Sequence, residues 1–267
     1  MYEVKDKVFF ITGGSAGIGA GIVEAFLNEG AKHIAYGDVD VKTGLKFEEE
    51  LISKYGAKRV KFHKCDVTTD DLTNVMDKVH QQQGYIDVVV NCAGVMNDSI
   101  YAKMIALNVT AVVTGSFHAY EKMRKDRGGK GGTIINIASI VALYQPHQLP
   151  VYAATKAAVL QFSNCLGMEP TYSRTGVRVV TLCFGCTDTE LLSTKAGVFD
   201  KEHEASLFDA ISVAPMQKPQ SAVDGLVDAY KKGKSGSTWL VIADQPAEDI
   251  TDNVLKAYKI LSKGVLE

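Results

Sequence analysis

The sequence predicts an α/β protein built on a doubly wound parallel sheet with helices on both faces. Two observations predict it: short apolar runs rich in β-branched residues, and longer amphipathic stretches that regularly separate them. Most of the runs lack polar alternation, as expected of strands buried on both faces of a parallel sheet. Because parallel strands need crossover connections, this alternation indicates repeated βαβ units.

Seven strands and six long helices are predicted in alternation. The strands cover Val8–Thr12, His33–Asp38, 60–65, Val88–Asn91, 133–138, 177–183 and 239–242. The helices cover about 17–30, 41–56, 69–83, 99–125, 152–169 and 220–232, and a further segment at 249–261 also has a helical pattern. Pro170 falls at the end of one helix. Residues 186–215 break the rhythm, and a segment of that length outside the sheet pattern is a candidate substrate lid.

The composition is that of a globular protein with balanced charge. The chain has 267 residues, of which 46% are apolar, 29 are basic and 31 are acidic. We expect one domain over 1–267, with a dinucleotide-binding half at about 1–95 and a catalytic and substrate half at about 96–267.

Without clustered Lys and Arg or an uninterrupted apolar run of ~18 residues, we expect no nucleic-acid or membrane partner. The first ten residues are too charged for a signal peptide, and we expect a cytoplasmic location.

Five cysteines are an odd number in a chain without an export signal, so no disulfide framework is expected. Cys183 and Cys186 form a C-x-x-C pair, which we interpret as the end of a buried strand and the loop that follows. No second Cys pair or suitably spaced His pair completes a ligand set. We expect no metal.

The first strand runs into a glycine-rich turn, Thr12-Gly-Gly-Ser-Ala-Gly-Ile-Gly19, which opens a helix. Glycines 13, 17 and 19 permit the tight turn and let the backbone approach a pyrophosphate at the helix N-terminus. The next strand ends at Asp38, placed to hydrogen-bond the adenosine ribose hydroxyls. This order is the Rossmann-like dinucleotide fingerprint. A carboxylate at this position would repel a 2′-phosphate and no Arg lies nearby, so NAD is the expected cofactor.

A second group of polar residues is predicted at the same edge of the sheet. Tyr152 and Lys156 are four residues apart, on one face of a helix. Ser139 follows one strand, and the segment Asn91-Cys-Ala-Gly94 ends another. Because ligands of open α/β sheets bind beyond the carboxyl ends of the strands, these elements are expected to meet in one crevice.

In this combination the sequence resembles the short-chain dehydrogenases/reductases. The glycine turn, Asp66, the 91–94 segment, Asn108, Ser139, Tyr152 and Lys156 match the family's motifs in order over about residues 5–190. Within the family the chain is most similar to the insect alcohol dehydrogenases and the 15-hydroxyprostaglandin dehydrogenases. The resemblance implies a catalytic set of Asn108, Ser139, Tyr152 and Lys156. It implies cofactor contacts from Thr12, Gly13, Ser15, Gly17, Ile18, Gly19, Asp38, Asp66, Val67, Asn91, Ala93, Gly94, Tyr152, Lys156, Thr187 and Thr189.

The resemblance also assigns roles within the catalytic set. Ser139 would hold the substrate oxygen, Tyr152 would be the general base, and Lys156 would bind the nicotinamide ribose. Asn108 would anchor a water molecule that feeds a proton relay. Lys156 and the positive nicotinamide ring would both lower the pKa of the Tyr152 phenol.

Two positions depart from the family pattern. Phe184-Gly185 stands where the family usually has Pro-Gly after the sixth strand. Leu149 stands where prostaglandin-type enzymes carry a glutamine, which favours a simple or apolar alcohol over a prostaglandin. With Ser139, the residues expected to contact the substrate are Met96, Leu149 and Leu191. The other side chains expected to line the pocket are also mostly apolar: Val141, Leu143, Tyr144, Leu192 and Phe199.

The function that these residues predict is the NAD-dependent oxidation of a secondary or apolar alcohol to the ketone or aldehyde. Alternatives are a dehydrogenase of a lipid-like alcohol of isoprenoid, steroid or prostaglandin type, a catalytically retired nucleotide-binding protein, and a non-redox enzyme on the same fold. The expected partners are a small alcohol or ketone and a second copy of the chain. Exposed apolar stripes on helices 99–125 and 152–169 predict the homodimer: Ile105, Val109, Val112, Val113, Phe117, Ala158, Phe162 and Leu166. The 249–261 segment is expected to add to this interface.

Overall fold

The structure, a computed structural model, describes residues 1–193 and 195–265. Its centre is an eight-stranded sheet in the order β3-β2-β1-β4-β5-β6-β7-β8. The strands are β1 (Val8–Thr12), β2 (His33–Asp38), β3 (Val60–Lys64), β4 (Val88–Asn91), β5 (Gly132–Ile137), β6 (Val177–Phe184), β7 (Ser237–Val241) and β8 (Glu248–Asp249). The first seven pair in parallel, as predicted, and the two-residue β8 adds an antiparallel edge that the sequence pattern did not predict.

Eleven α-helices connect and flank the strands in the described part of the chain. They are α1 (Gly17–Asn28), α2 (Val41–Tyr55), α3 (Asp71–Gln83), α4 (Tyr101–Ile105), α5 (Ala111–Met123), α6 (Pro150–Leu166), α7 (Glu169–Thr175), α8 (Glu190–Ser193), α9 (Glu204–Val213), α10 (Pro219–Lys232) and α11 (Thr251–Leu261). The Rossmann-like, doubly wound fold is therefore confirmed. Pro170 does not end the long helix: it occupies the first turn of the separate helix α7, where the missing N–H of proline is tolerated.

Each face of the sheet carries its own hydrophobic core. Along β1, Phe9 and Ile11 pack with α1 and α10, whereas Val8 and Phe10 pack on the other side with α3 and α5. This alternation follows from the two-residue period of a strand. With both faces covered, β1, β4 and β6 are buried along their whole length, which explains their unbroken apolar runs.

The predicted helix 99–125 is interrupted by a π-helical turn at Ala106–Thr110 that joins α4 to α5. The stretch Asp98–Met123 is long and apolar enough to cross a membrane by length and composition alone. In the fold it packs against α3, α6, β4 and β5. The π-turn places Asn108 in the interior, where its side chain is 1% exposed.

The segment predicted as a lid contains helices α8 and α9 rather than an irregular loop, with residue 194 outside the described part. A short parallel bridge between Asn97 and Gly197 ties it to the loop after β4, and a second between Thr187 and Gln217 ties its base to the start of α10. The segment predicted as a lid thus lies beside the carboxyl ends of β4 and β6.

Candidate active site

All the predicted site residues lie at one edge of the sheet, because β1 to β7 run in the same direction. Thr12, Asp38 and Asn91 end β1, β2 and β4, and Asp66 and Ser139 follow β3 and β5 within two residues. Tyr152 and Lys156 lie in the first two turns of α6. The structure therefore brings together residues as far apart in sequence as Thr12 and Lys156, at the edge where doubly wound sheets bind ligands.

The glycine-rich turn forms a close cradle between β1 and α1. A Cβ on Gly19 would lie 2.0 Å from the carbonyl oxygen of Gly13, so no side chain fits there. Gly13 has a φ of +67°, and a Cβ on it would come within 2.9 Å of the Ala93 Cα. The turn thus requires glycine for both backbone conformation and close approach.

Two features of this turn fit the phosphates of a dinucleotide. The N-cap of α1, Ala16, provides no side-chain cap, so the amides of the first turn remain available to an anion. The Ser15 hydroxyl is buried and has no hydrogen-bond partner among the described residues. A buried unpaired hydroxyl is costly, and a phosphate or ribose oxygen would satisfy it.

Asp38 lies at the position expected for ribose recognition. Its carboxylate accepts hydrogen bonds from the backbone amides of Ser15 at 3.2 Å and of Asp40 at 3.1 Å. It therefore joins the end of β2 to the glycine turn. Asp66 accepts hydrogen bonds from the amide and hydroxyl of Thr68, and Val67 packs in the core beside it.

Some predicted cofactor residues have their side chains committed elsewhere. The Thr12 hydroxyl accepts hydrogen bonds from the amides of Cys92 and Ala93 at 3.0 and 3.1 Å, which joins the ends of β1 and β4. The Asn91 amide donates to Asn136 and Ser116 in a buried network that continues to Ser163. These two residues shape the site, and any contact with a cofactor would come from their backbone.

The loop after β6 holds the predicted threonines. The Thr187 hydroxyl donates to the Gly185 carbonyl and accepts from the Gln217 amide at 2.9 Å, and Thr189 lies beside Gly17. Phe184, which replaces the usual proline, pairs with Val241 and extends the β6–β7 ladder by one residue. Gln217, which no sequence pattern indicated, donates to the Thr187 hydroxyl and to the Val241 carbonyl and so holds the base of this loop.

The four residues predicted to be catalytic are all buried. Tyr152, Lys156, Ser139 and Asn108 are 5%, 6%, 8% and 1% exposed. The Lys156 ammonium donates to the Ile137 carbonyl at 2.9 Å and lies 5.7 Å from the centroid of the Tyr152 ring. Gly94 lies next to both Lys156 and Asn108: a Cβ on this glycine would be 3.7 Å from Lys156 Nζ and 3.4 Å from Asn108 Oδ1.

Burial perturbs both members of the Tyr-Lys pair. It raises the pKa of Tyr152 to about 12, an effect that the nearby Ser139 hydroxyl only partly offsets. It also lowers the pKa of Lys156 to about 8. The lowering of the Tyr152 pKa that the resemblance implies is therefore not produced by the residues of the chain alone, because desolvation is the largest effect on the phenol and raises its pKa.

Asn108 differs from its expected role in one respect. Its Oδ1 accepts from the Val95 amide at 2.9 Å, and its Nδ2 donates to the Val95 carbonyl at 2.8 Å and to Thr155 Oγ1 at 3.2 Å. Both amide hydrogens are used, so a water molecule held by this side chain could bind only the second lone pair of Oδ1.

An apolar wall lies next to Tyr152. The predicted substrate residues Met96 and Leu149 are buried there, and Leu191 packs against them from the lid. Val141 and Leu192 belong to the same cluster, but Leu143, Tyr144 and Phe199 are 41%, 54% and 70% exposed and lie outside it.

The fold and these residues define a class of protein: a dinucleotide-binding enzyme with a buried Ser-Tyr-Lys set. The sequence profile described as short chain dehydrogenase matches residues 7–197, and the chain belongs to this family. It is 34% identical over 193 residues to a 15-hydroxyprostaglandin dehydrogenase [NAD(+)] of Rattus norvegicus, which covers 72% of each chain. It is 29% identical over 244 residues to an alcohol dehydrogenase 1 of Ceratitis cosyra, which covers 89% of this chain and 92% of the relative.

A solved structure confirms the fold. A short-chain dehydrogenase/reductase from Burkholderia phymatum in complex with NAD superposes with a TM-score of 0.74 at 20% identity, covering 86% of this chain and 88% of the other. At that identity the likeness concerns the fold alone.

Proposed function

We propose that this protein is an NAD-dependent dehydrogenase that oxidises a secondary or apolar alcohol to the ketone or aldehyde. The observation that carries the proposal is the burial of Tyr152, Ser139 and Lys156 together, between the glycine turn and an apolar wall. That arrangement provides a proton acceptor, an oxygen-binding hydroxyl and a cation at one place.

The residues of the chain handle the proton and the orientation of the substrate. The Ser139 hydroxyl holds the alcohol oxygen, and the Tyr152 phenolate takes its proton at Oη. Oxidised nicotinamide, when bound, accepts the hydride and adds a positive charge. Because burial raises the pKa of the phenol to about 12, that charge and Lys156 together must favour the phenolate for the base to work at neutral pH. Exclusion of water by the apolar wall strengthens both electrostatic effects.

Asp38 supports NAD rather than NADP as the cofactor. Its carboxylate ends β2 beside the glycine turn, where it would bind ribose hydroxyls and repel a 2′-phosphate. The prostaglandin dehydrogenase relative carries NAD(+) in its name.

The apolar wall supports an uncharged substrate. Met96, Leu149 and Leu191 offer no donor to a phosphate or carboxylate, so binding depends on burial of apolar surface. A lipid-like alcohol of isoprenoid, steroid or prostaglandin type is the second candidate substrate, because one relative is named as a 15-hydroxyprostaglandin dehydrogenase. Leu149 in place of a glutamine favours the simpler alcohol.

A homodimer in the cytoplasm is also part of the proposal. Ile105 at the end of α4 and Phe117 on α5 remain 42% and 49% exposed. The centroids of the Phe117 ring and of the Phe162 ring on α6 are 5.4 Å apart, which leaves an apolar surface across these helices. Val112, in contrast, is buried within the chain at 4% exposure, and Leu166 packs partly against the α3–α5 core, so neither belongs to that surface as predicted.

The test is NADH formation measured by absorbance when the purified protein is mixed with NAD and a panel of alcohols. The panel contains primary and secondary alkyl alcohols of increasing length, a terpenoid alcohol, a hydroxysteroid and a 15-hydroxyprostaglandin. The proposal predicts turnover of a secondary or apolar alcohol with NAD and a much slower reaction with NADP. NADH binding without turnover of any alcohol would instead indicate a retired nucleotide-binding protein.

A further inference from the structure

A buried carboxylate, that of Asp98, caps the helix that carries Tyr152. Asp98 is 0% exposed, and its two carboxylate oxygens accept hydrogen bonds from the amides of Val151 at 2.8 Å and of Tyr152 at 2.9 Å. Asp98 begins a short 3₁₀ helix in the loop after β4, more than fifty residues from α6 in sequence. It is therefore a cap from outside the helix.

This carboxylate completes the hydrogen bonding of the first turn of α6. Pro150 has no N–H, and the Ala153 amide donates to the Leu149 carbonyl at 2.9 Å. The amides of Val151 and Tyr152 are the remaining donors, and Leu149 at the N-cap offers no side-chain acceptor. Without Asp98 two amides at the catalytic tyrosine would be unsatisfied, so the position of the first turn depends on it.

The backbone of the same loop holds the lid. The Asp98 amide donates to the Gly197 carbonyl at 2.8 Å, and the Gly197 amide donates to the Met96 carbonyl at 3.1 Å. A Cβ on Gly197 would lie 2.4 Å from Asn97 Oδ1, so a larger residue at 197 would have to displace the Asn97 side chain. Asp98 is thus bonded to the lid through its backbone and to α6 through its side chain.

The charge of Asp98 is balanced by the helix rather than by a cation. No Lys, Arg or His forms an ion pair with it within residues 1–193 and 195–265. The positive N-terminus of α6 takes that role. Burial raises the pKa of Asp98, and the two amide hydrogen bonds oppose that shift by stabilising the carboxylate.

We propose that Asp98 is a positioning residue that couples closure of the lid at Gly197 to the placement of the Tyr152 phenol. This inference rests on the proposed function, in which Tyr152 is the base. A lid that closes on the substrate pulls on the Asp98 backbone, and the carboxylate transmits that position to the first turn of α6. The closed lid and the aligned base then occur together.

The first test is Asp98→Asn, which keeps the size of the side chain but turns one acceptor into a donor facing an amide. The expected result is a fall in kcat of about 10–100-fold, because a displacement of the Tyr152 phenol by roughly 1 Å lowers the rate by that order. NADH affinity stays within a factor of about two, because the cap does not touch the glycine turn. Asp98→Glu, which keeps two acceptors, recovers part of the loss. The matched control is Asp87→Asn, whose carboxylate accepts from the Val8 amide at the opposite edge of the sheet, and it leaves kcat unchanged.

The second test reads the coupling without activity. Hydrogen exchange of the intact protein is measured by mass spectrometry on peptides that cover 150–154 and 195–199. Asp98→Asn and Gly197→Ala should each raise exchange in both peptides, and Asp87→Asn in neither. If Asp98→Asn raises exchange only in the 150–154 peptide, or Gly197→Ala only in the 195–199 peptide, the coupling is absent, and the proposal fails even if the enzyme is active.

The two tests separate this inference from the proposed function. A wild type that oxidises no alcohol, with exchange coupled in both peptides, would contradict the dehydrogenase assignment and leave the Asp98 linkage supported. An active wild type whose Asp98→Asn variant keeps full kcat would contradict the positioning role. If Asp98→Asn does not fold, Gly197→Ala carries the exchange test, because Asp98 remains intact in it.

Discussion

In our proposal, Asp38 is the residue on which the choice of nucleotide depends. Its carboxylate binds two backbone amides and lies beside the glycine turn. Asp38→Ala should raise the KM for NAD by about 10–100-fold, because hydrogen bonds to a charged group contribute ~1.5–3 kcal/mol. It should raise relative use of NADP, because the repulsion of a 2′-phosphate is lost.

Steady-state kinetics with both nucleotides checks this prediction. Asp40→Ala is the control, since that nearby carboxylate caps α2 and should leave the NAD to NADP ratio unchanged. A wild type that already prefers NADP would refute the assignment of Asp38.

His63 is a buried histidine that makes the stability of the fold depend on pH. It is 7% exposed, its Nε2 has no partner in the described residues, and burial lowers its pKa to about 4. The unfolded chain binds a proton near pH ~6.5 but the folded chain does not, so stability falls as the pH falls from ~6.5 toward ~4.

His63→Phe should remove that contribution. Between pH ~6.5 and ~4.5 the wild type should lose about 2 kcal/mol more of its free energy of unfolding than the variant does. Urea denaturation at the two pH values measures this difference. Equal losses in the two proteins would show that His63 is not held neutral in the folded state.

Single residues also show where sequence-based prediction succeeds and where it stops. That Tyr152, Lys156 and Ser139 lie close together could be predicted, because the first two are four residues apart on one helix and Ser139 follows a strand. Asp98 follows an Asn in a segment typical of a local turn. That pattern predicts that its carboxylate binds backbone amides nearby in sequence, and it gives no indication of the contact with α6. Its partners are set by the packing of two distant elements, which no local pattern encodes.

At the scale of elements, the π-helical turn in the α4–α5 helix determines how Asn108 reaches the site. A π-turn shifts the register of the side chains that follow, and such turns are frequent at functional sites. Here it directs the Asn108 amide to both backbone groups of Val95 and to Thr155, whose hydroxyl donates to the Tyr152 carbonyl. Asn108 thus joins the β4 loop to α6.

Asn108→Asp should break this junction, because a carboxylate oxygen would face the Val95 carbonyl. The expected loss is about 1–3 kcal/mol of unfolding free energy, the cost of an unpaired buried group, together with lower turnover. Chemical denaturation and initial rates measure the two effects. The exposed Asn74→Asp on α3 is the control, and an Asn108→Asp protein as stable as that control would contradict the structural role.

The strands could be predicted more closely than the lid. Val8–Thr12, His33–Asp38 and Val88–Asn91 were predicted with the bounds that the structure shows, because strands buried on both faces leave unbroken apolar runs. Helices α8 and α9 and the edge strand β8 were missed. They are short and largely exposed, and contacts with the rest of the fold rather than a periodic pattern determine them.

At the scale of the whole molecule, the exposed apolar surface of α5 and α6 predicts self-association. Sedimentation at micromolar concentration should give about twice the chain mass of 28.9 kDa. Phe117→Glu should shift the mass toward the monomer, because a charge would be buried at the interface. Phe199→Glu, at a 70% exposed lid position, is the control and should leave the mass unchanged. A wild type that sediments as a monomer would refute the dimer.

The central claim is that the Tyr152 phenol is the base for alcohol oxidation, and Tyr152→Phe tests it most directly. The variant keeps the ring and its packing in the apolar wall but removes the hydroxyl. NADH binding, followed by fluorescence, should stay nearly intact, while turnover should fall by about 10²–10⁴-fold, as is typical for loss of a general base. A Tyr152→Phe protein that keeps more than about a tenth of the wild-type rate, well above that range, would place the chemistry on another residue.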